Sequence, residues 1–287
     1  MKKINGIIYA ILSSMAFGAM PIFAKLAYNN GSNPTTVLSF RFLITCLVLL
    51  VYFGVTKTNF KVTKKQFLIL LGIGVIGYTV TCQMLFRAYN YMGVGLVTAI
   101  HFVYPAFVCI IGYLFFKEKL GKNKVIALIL SAIGVYVLVG LQVKSISMIG
   151  VLLAFFSGIA YGSNIIALSM EEIKNLDNKV ITFYSSLFAG ITMVIIGVLK
   201  GELVLKINSQ LAFSYIGISL ISTILAVVLF LKAIKIIGAS SAAILSTFEP
   251  IVSIVLSILI FGEVVTAAMI VGTLLILASV VLLAIEK

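Results

Sequence analysis

Long apolar stretches alternate with short polar segments along the whole chain. Each stretch has close to the 20 or so residues that a helix needs to cross the hydrocarbon core of a bilayer. They are predicted to be transmembrane spans one to ten, in chain order: Ile4–Tyr28, Pro34–Val55, Gln66–Arg87, Val94–Phe116, Lys124–Leu141, Ser147–Met170, Val180–Leu199, Leu211–Ala233, Ala239–Phe261 and Thr266–Ala284. The segments between them are too short to hold a soluble domain, so the pattern predicts an all-α integral membrane protein.

The composition agrees with this pattern and excludes a water-soluble fold. Of the 287 residues, 62% are hydrophobic and 10% are charged, and the mean hydropathy is +1.24. Soluble domains are roughly 45–50% apolar and about 25% charged, so lipid must cover much of this chain. The three cysteines lie inside apolar stretches and have no metal-ligand spacing, and there is a single histidine. The sequence therefore predicts no metal site and no cofactor.

The formal net charge of +13 comes mainly from bases in the short segments between spans. No basic face is interleaved with aromatic residues, so a nucleic-acid partner is not expected. If the N-terminus is placed inside, the inner segments carry 15 of the 21 bases and the outer segments carry 4, while Lys25 and Arg41 lie within spans. Because cytoplasmic segments are enriched in bases, this asymmetry predicts that both termini are cytoplasmic, in a plasma or inner membrane.

The two halves of the chain match each other at a shift of 144 to 145 residues. The matched pairs include Gly6 with Gly150, Ser13 with Ser157, Gly18 with Gly162, Gly93 with Gly238, Pro105 with Pro250 and Glu118 with Glu263. Each unit, residues 1–143 and 144–287, holds five predicted spans. Because five is odd, the second unit enters the membrane from the opposite side. Such inverted repeats are typical of secondary transporters, which bind substrate near the midplane between the repeats.

These motifs resemble those of the drug/metabolite transporter superfamily, in its EamA-domain branch. The resemblance covers nearly the whole chain and rests on Tyr104-Pro105 with Phe116-x-Glu118-Lys119-Leu120, and on Glu249-Pro250 with Phe261-Gly262-Glu263. Lys25 and Arg41, in the first two spans, also fit the pattern. The resemblance implies a ten-helix transporter with a central cavity, often an exporter of amino acids or other metabolites, and not an enzyme.

Prolines lie at the centres of spans four and nine. Proline cannot donate the usual helical hydrogen bond, so Pro105 and Pro250 free the carbonyls of His101 and Ser246. Pro21 does the same in span one. Free carbonyls at membrane depth are tolerated where they line a cavity or are buried in protein. The breaks therefore predict either a binding site or a purely structural kink.

Glu249 is the most informative single residue, because a mid-span carboxylate costs on the order of 3 kcal/mol by insertion scales. It could be a proton site or bind a cation, or it could make a structural contact with Lys25 or Arg41. Those two bases could instead neutralise an anionic substrate. His101 could relay protons or bond substrate, or could be a neutral core residue.

Polar stripes on two further spans are expected to face the same interior. Gln83 lies on the stripe of span three, and Tyr161 and Asn164 lie on that of span six. Polar contacts between helices would explain these stripes nearly as well. We predict a central substrate site with Tyr161 as an aromatic wall and with these six lining residues: Gln83, His101, Tyr104, Asn164, Ser246 and Glu249. Gly158 and Gly162 predict close helix packing.

Several functions are compatible with this architecture. We favour a secondary transporter that exports its substrate, and proton coupling is left open. Its expected partners are lipid and a small molecule. The alternatives are a passive facilitator, a membrane sensor or scaffold, and an intramembrane enzyme. The sequence lacks Gly-x-Ser-x-Gly, His-Glu-x-x-His and an ATP-binding motif, and Asp177 is its only aspartate. The sequence does not determine the oligomeric state.

Overall fold

The computed structural model describes residues 2–88, 91, 97, 100–118, 121–139, 147–206, 208–261 and 266–285. Gly93, Lys119, Leu120, Gly262 and Glu263, which the sequence motifs include, lie outside this part. In chain order the helices are α1 (Lys2–Gly18), α2 (Met20–Asn29), α3 (Pro34–Thr56), α4 (Lys64–Gly72), π1 (Ile73–Val80), α5 (Thr81–Ala88), α6 (Tyr104–Phe116), α7 (Lys122–Val139), α8 (Met148–Ser169), α9 (Glu171–Lys174), α10 (Asn178–Lys200), α11 (Ser209–Ser219), π2 (Leu220–Leu225), α12 (Ala226–Leu245), α13 (Glu249–Phe261) and α14 (Ala267–Ile285).

The chain is an all-helical membrane protein. In the described part, six helical segments are long and apolar enough to cross a membrane: Lys3–Asn29, Pro34–Thr56, Lys64–Leu85, Met148–Ser169, Asn178–Lys200 and Ser209–Ile260. Large apolar side chains point outward, such as Leu47 (64% exposed) and Leu259 (74% exposed). Many serines and threonines are buried instead, so the exterior suits lipid and the polar groups lie inside. The count of ten spans and the inverted repeat remain predictions.

Local sequence accounts for where several helices begin and end. The Asn33 side chain accepts a hydrogen bond from the Thr36 amide, and Pro34 occupies the first turn of α3. Thr63 and Gln66 form a reciprocal capping box at the start of α4. These side chains satisfy amides that the first turn of a helix leaves free. At the other end of α10, Gly201 takes a left-handed conformation (φ 65°), which a glycine adopts without strain.

Three predicted spans are interrupted near a proline. Span one breaks at Ala19, between α1 and α2, two residues before Pro21. The turn at Phe102–Val103 precedes α6 in span four. In span nine, the 3-10 helix Ser246–Phe248 separates α12 from α13. Span six, whose segment contains no proline, is the continuous helix α8.

Two π-helical segments, which the hydrophobic pattern did not indicate, lie within spans three and eight. The Thr79 hydroxyl donates to the Gly74 carbonyl at 3.2 Å, and the Thr223 hydroxyl donates to the Ile218 carbonyl at 2.9 Å. Both bonds connect residues five apart. At a shift of 145 residues, Leu220–Leu225 aligns with residues 75–80 of π1. π-Helices are rare and often occur at functional sites.

The helices pack in a pattern that relates the two halves of the chain. Helix α3 packs against α10, and α7 packs against α14. Helix α1 packs against α12, and α8 packs in the matching way against α5. Helices α6 and α13, which follow the breaks in spans four and nine, lie against α8 and α1, respectively. The interrupted segments therefore lie against the first helix of the opposite half.

Candidate functional site

Polar and aromatic side chains from both halves converge in the interior of the bundle. They come from α3, π1, α6, α8, α13 and the two broken segments. We call them the interior cluster, and its members are Arg41, Tyr78, His101, Tyr104, Tyr161, Asn164, Ser246 and Glu249. The structure thus brings together most of the residues that the sequence predicted for a central site.

An aromatic wall forms one side of the interior cluster. The Tyr104 and Tyr161 rings meet edge to face with centroids 4.8 Å apart, and the His101 ring lies 5.7 Å from each. Tyr104 is 1% exposed, and its hydroxyl lies beside Ser246. Such edge-to-face contacts stabilise ring positions, and here they cross the boundary between the halves.

Hydrogen bonding indicates the tautomer of His101. Its Nδ1 atom lies 2.8 Å from the Ser157 hydroxyl oxygen, and that hydroxyl donates to the Ala154 carbonyl at 2.6 Å. A serine hydroxyl has only one proton. Ser157 must therefore accept from Nδ1–H, which leaves Nε2 of the neutral ring as a hydrogen-bond acceptor.

Arg41 is buried (4% exposed) and is held by the opposite half of the chain. Its Nε donates to the Thr223 hydroxyl of π2 at 2.7 Å, and its Nη2 donates to the Ser222 carbonyl at 3.4 Å. The guanidinium also lies over the Phe42 ring, 5.0 Å from the centroid. The π2 segment thus positions this cation, because Thr223 itself is bonded to a carbonyl five residues earlier.

Glu249 is the carboxylate of the interior cluster. It interacts electrostatically with Arg41, but the ion pairs within 4.0 Å in the described part of the chain do not include one between them. The Ser253 hydroxyl contacts both the Gly18 carbonyl, at 3.0 Å, and the Glu249 carbonyl, at 3.2 Å. The start of α13 is thereby fixed against the break in span one. The two opposite charges therefore lie near each other without a direct ion pair among the described residues.

Asn164 has unused hydrogen-bonding capacity in the interior cluster. The residue is 3% exposed, and among the described residues neither Nδ2 nor Oδ1 has a hydrogen-bond partner, although the Tyr78 hydroxyl lies beside it. Gly77 makes room for this amide, since a Cβ there would lie 2.5 Å from Asn164 Cγ. Buried amides are nearly always bonded, so an orphan of this kind requires an explanation.

The two carbonyls that the prolines were predicted to free are placed differently. The Ser246 carbonyl is not free, since it accepts a hydrogen bond from the Glu249 amide at the end of the 3-10 turn. The His101 carbonyl packs on Gly158 of α8, where an added Cβ would lie only 2.5 Å from the oxygen. In the other half, the Ser14 hydroxyl lies 3.3 Å from the Leu245 carbonyl, next to the break. Small residues of α1 and α8 therefore allow the broken segments to approach closely, as the Gly158 and Gly162 spacing predicted.

Other predicted residues lie apart from the interior cluster. Gln83 is half-buried and donates weakly to the Met193 sulfur at 3.6 Å. Lys25 and Pro21 are exposed on α2, so Arg41 rather than Lys25 is the cation near Glu249. Pro105 and Pro250 are buried at the starts of α6 and α13.

Sequence reasoning missed Tyr78 and Thr223. These two residues correspond to each other at the 145-residue shift, and both lie in π-helices. Comparing every polar position across the repeat would have identified the pair. In the described part of the chain, no three His, Cys, Asp or Glu side chains are grouped as metal ligands would be.

A bundle with a lipid-compatible exterior and a polar interior defines a multi-pass membrane protein. The chain belongs to the EamA-like transporter family, which matches residues 4–140 and again 148–285. This family is part of the drug/metabolite transporter superfamily, and the protein is a membrane transporter.

Known proteins align with this chain over most of its length. Solute carrier family 35 member G1 of Homo sapiens is 25% identical, over 98% of this chain and 79% of that protein. An uncharacterized transporter of Clostridium kluyveri is 24% identical, over 95% of this chain and 90% of its own. One solved crystal structure superposes with a TM-score of 0.83 at 13% identity, covering 96% of this chain and 95% of that one, and supports the fold alone.

Proposed function

We propose that this chain is a secondary transporter that exports a small polar metabolite, such as an amino acid or a related compound, across the cell membrane with both termini cytoplasmic. Substrate binds at the interior cluster. The observation that carries the proposal is that the buried Arg41 and Asn164 lie with the half-buried Glu249. Among the described residues, no ion pair joins the two charges and the amide has no hydrogen-bond partner. A buried polar group without a partner costs about 1–3 kcal/mol, which a ligand recovers by supplying one.

The groups available suggest how a ligand is held. Arg41 attracts an anionic group, and Glu249 attracts a cationic group or takes up a proton. The Asn164 amide both donates and accepts, and the free Nε2 of His101 accepts. Tyr104 and Tyr161 form an apolar wall beside these groups. A zwitterion or a metabolite with both donors and acceptors satisfies them best.

The helix packing supports alternating access between two inverted five-helix repeats, residues 1–143 and 144–287. The contact of α1 with α12 corresponds, when the two halves are exchanged, to that of α8 with α5. The contact of α6 with α8 corresponds in the same way to that of α13 with α1. In inverted-repeat transporters, rocking of one repeat against the other exposes a fixed site first to one side and then to the other. The interior cluster lies where such halves meet.

Transport by purified protein in liposomes tests the site, once a metabolite-toxicity screen of cells with and without the protein has identified a substrate. Asn164→Ala should raise the apparent KM by about tenfold, or 1.4 kcal/mol. Little stability should be lost, because neither polar atom of the amide has a hydrogen-bond partner among the described residues. Ser163→Ala is the matched control, since its exposed hydroxyl only bonds the Ile159 carbonyl. An unchanged KM in Asn164→Ala would remove the site from this position.

Proton coupling is tested with Glu249→Gln. This variant should lose transport driven by a pH gradient while exchange of labelled for unlabelled substrate continues. Unchanged pH dependence in a folded Glu249→Gln protein would assign the residue a structural role. Accumulation that never exceeds the equilibrium level in the unsubstituted protein would instead identify a passive facilitator.

Substrate protection tests the lining directly. Cysteines introduced at Tyr104, Tyr161 and Asn164, in a variant without the three native cysteines, should react with a small thiol reagent. Substrate should slow that reaction. If all three are inert, or react equally fast at saturating substrate, the binding site lies elsewhere.

A further inference from the structure

A second polar cavity lies outside the interior cluster, at the end of the bundle that the base distribution predicts to be cytoplasmic. Its volume is about 270 Å³, and its lining comes from the start of α10 and from one face of α12. The lining residues are Asp177, Asn178, Lys179, Val228, Lys232 and Lys235. This volume is slightly below the roughly 300–1,000 Å³ of pockets for drug-sized ligands, so it suits a small group.

Charge makes the cavity a site for an anion. Three lysines and one aspartate line it, and the Asp177 carboxylate is already used, since it caps α10 by accepting from the Lys179 amide at 2.7 Å. The excess of two positive charges therefore faces any occupant. Lys232 and Lys235 lie three residues apart on α12, one turn of the helix, and so project to the same side.

The protein holds the lysines in place without neutralising them. The Lys179 ammonium donates to the Tyr52 hydroxyl at 2.8 Å, and the Lys235 ammonium donates to the Leu176 carbonyl at 2.8 Å. Lys232 lies over the Tyr9 ring, 5.3 Å from its centroid. Because an ammonium has three N–H donors, these neutral partners leave both charge and donors for a ligand.

One group in the lining requires a donor instead. The Asn178 Nδ2 atom donates to the Val228 carbonyl at 3.4 Å, and Asn178 Oδ1 is buried with no hydrogen-bond partner among the described residues. An anion without a hydrogen-bond donor, such as chloride, would satisfy the lysines only. An anion that also carries a hydroxyl would satisfy the amide oxygen as well.

We propose that this cavity binds a phosphate group that bears a neighbouring hydroxyl, as in the headgroup of phosphatidylglycerol or in soluble glycerol phosphate. The phosphate contacts Lys179, Lys232 and Lys235, and the hydroxyl donates to Asn178 Oδ1. Basic pockets between membrane helices are known to hold anionic headgroups. The site is separate from the transport site, so each can be tested without the other.

Native mass spectrometry and thermal unfolding of the purified protein test the proposal with defined probes. The lipid probes are phosphatidylglycerol, phosphatidylethanol, which has the same charge but no hydroxyl, and phosphatidylcholine. The soluble probe is glycerol 3-phosphate. Phosphatidylglycerol should bind more tightly than the other two lipids. If glycerol 3-phosphate displaces it, the phosphate itself is recognised; if glycerol 3-phosphate does not bind, the membrane lipid is the source. Binding of neither probe would overturn the proposal.

Variants separate this site from general attraction to a basic surface. Lys232→Gln combined with Lys235→Gln should weaken phosphatidylglycerol binding by about tenfold. Lys61→Gln with Lys64→Gln removes the same charge from exposed positions on the same face, outside the cavity lining, and should weaken it less than twofold. Equal losses in both double variants would refute a built site.

Two single variants keep the test decisive if the double variant does not fold. Lys232→Gln changes an exposed residue and should weaken binding about threefold. Asn178→Leu should abolish the preference for phosphatidylglycerol over phosphatidylethanol while binding of both persists. A preference that survives Asn178→Leu would contradict the role given to its oxygen.

Discussion

Gly158 is a position where a single added methyl group should have a large effect. An added Cβ would lie 2.5 Å from the His101 carbonyl oxygen and 2.8 Å from Val103 Cγ1. The first neighbour is backbone, in the turn of span four before Pro105, and cannot rotate away as a side chain does. Gly158→Ala must therefore displace the broken segment of span four from α8.

The expected magnitude follows from two opposing effects. Overpacking a well-packed site costs about 1–3 kcal/mol. Alanine is favoured over glycine within a helix by about 0.8–1 kcal/mol, which offsets part of this cost. Because the closest neighbour is backbone, we take the upper part of the first range, about 2–3 kcal/mol, and expect a net loss of about 1–2 kcal/mol in the free energy of unfolding. For a chain of this size, that lowers the unfolding midpoint by roughly 2–5 °C.

The cysteines provide a suitable readout, since the chain contains no tryptophan. Cys46 and Cys109 are 5% and 1% exposed, so a thiol-reactive fluorescent dye labels them as the protein unfolds on heating. Gly54→Ala is the matched control, because nothing lies within 4 Å of a Cβ at that position in α3. It should raise the midpoint by about 2 °C through helix preference alone.

Gly158→Ala should lower the unfolding midpoint and Gly54→Ala should raise it, so the comparison is decisive. If Gly158→Ala unfolds at or above the midpoint of the unsubstituted protein, then α8 and span four are not packed as described. The interior cluster, which depends on that contact to position His101, would then need to be rebuilt.

Three further predictions concern the ends of the bundle. The Glu118 carboxylate accepts hydrogen bonds from Ser240 at 2.5 Å and from the largely buried Lys124 at 3.2 Å. Glu118→Gln should therefore lower the free energy of unfolding by about 1–3 kcal/mol. Adding Lys124→Met to that variant should recover part of the loss, and no recovery would contradict the pairing of Glu118 with Lys124. Cysteines replacing the exposed Lys61 and Lys206, in a variant without native cysteines, should differ on intact cells: an impermeant thiol reagent should label only position 206, and the reverse pattern would invert the predicted topology. A hydrogen bond from the Lys65 ammonium, 2.6 Å away, lowers the pKa of Glu172 from its ordinary value of 4.5. The small stabilisation of the folded state is present above pH 4.5 and is lost as the pH falls through the lowered pKa. The unfolding midpoints at pH 6 and pH 3 should therefore differ less in Glu172→Gln than in the unsubstituted protein, and an equal difference would assign no role to the pair.

The sequence alone determined the features that depend on neighbouring residues. Predicted span two, Pro34–Val55, is helix Pro34–Thr56, and predicted span six, Ser147–Met170, is helix Met148–Ser169. Length and hydropathy suffice there, because a backbone in lipid must satisfy its own hydrogen bonds and does so as a helix. The family and the all-helical membrane class likewise followed from motifs and composition. The positions of the interrupted helices followed from the chemistry of proline.

Only the tertiary structure decided which polar groups meet and which are left without partners. Lys25 and Arg41 were equal candidates to face Glu249, and the fold brings Arg41 near it because Thr223 and Ser222 of the opposite half hold the guanidinium. The orphan amide of Asn164 and the lysine cavity beside α12 were likewise not evident from sequence. These features depend on distances between residues far apart in the chain. Hydropathy and helical period describe one segment at a time and carry no information about such distances.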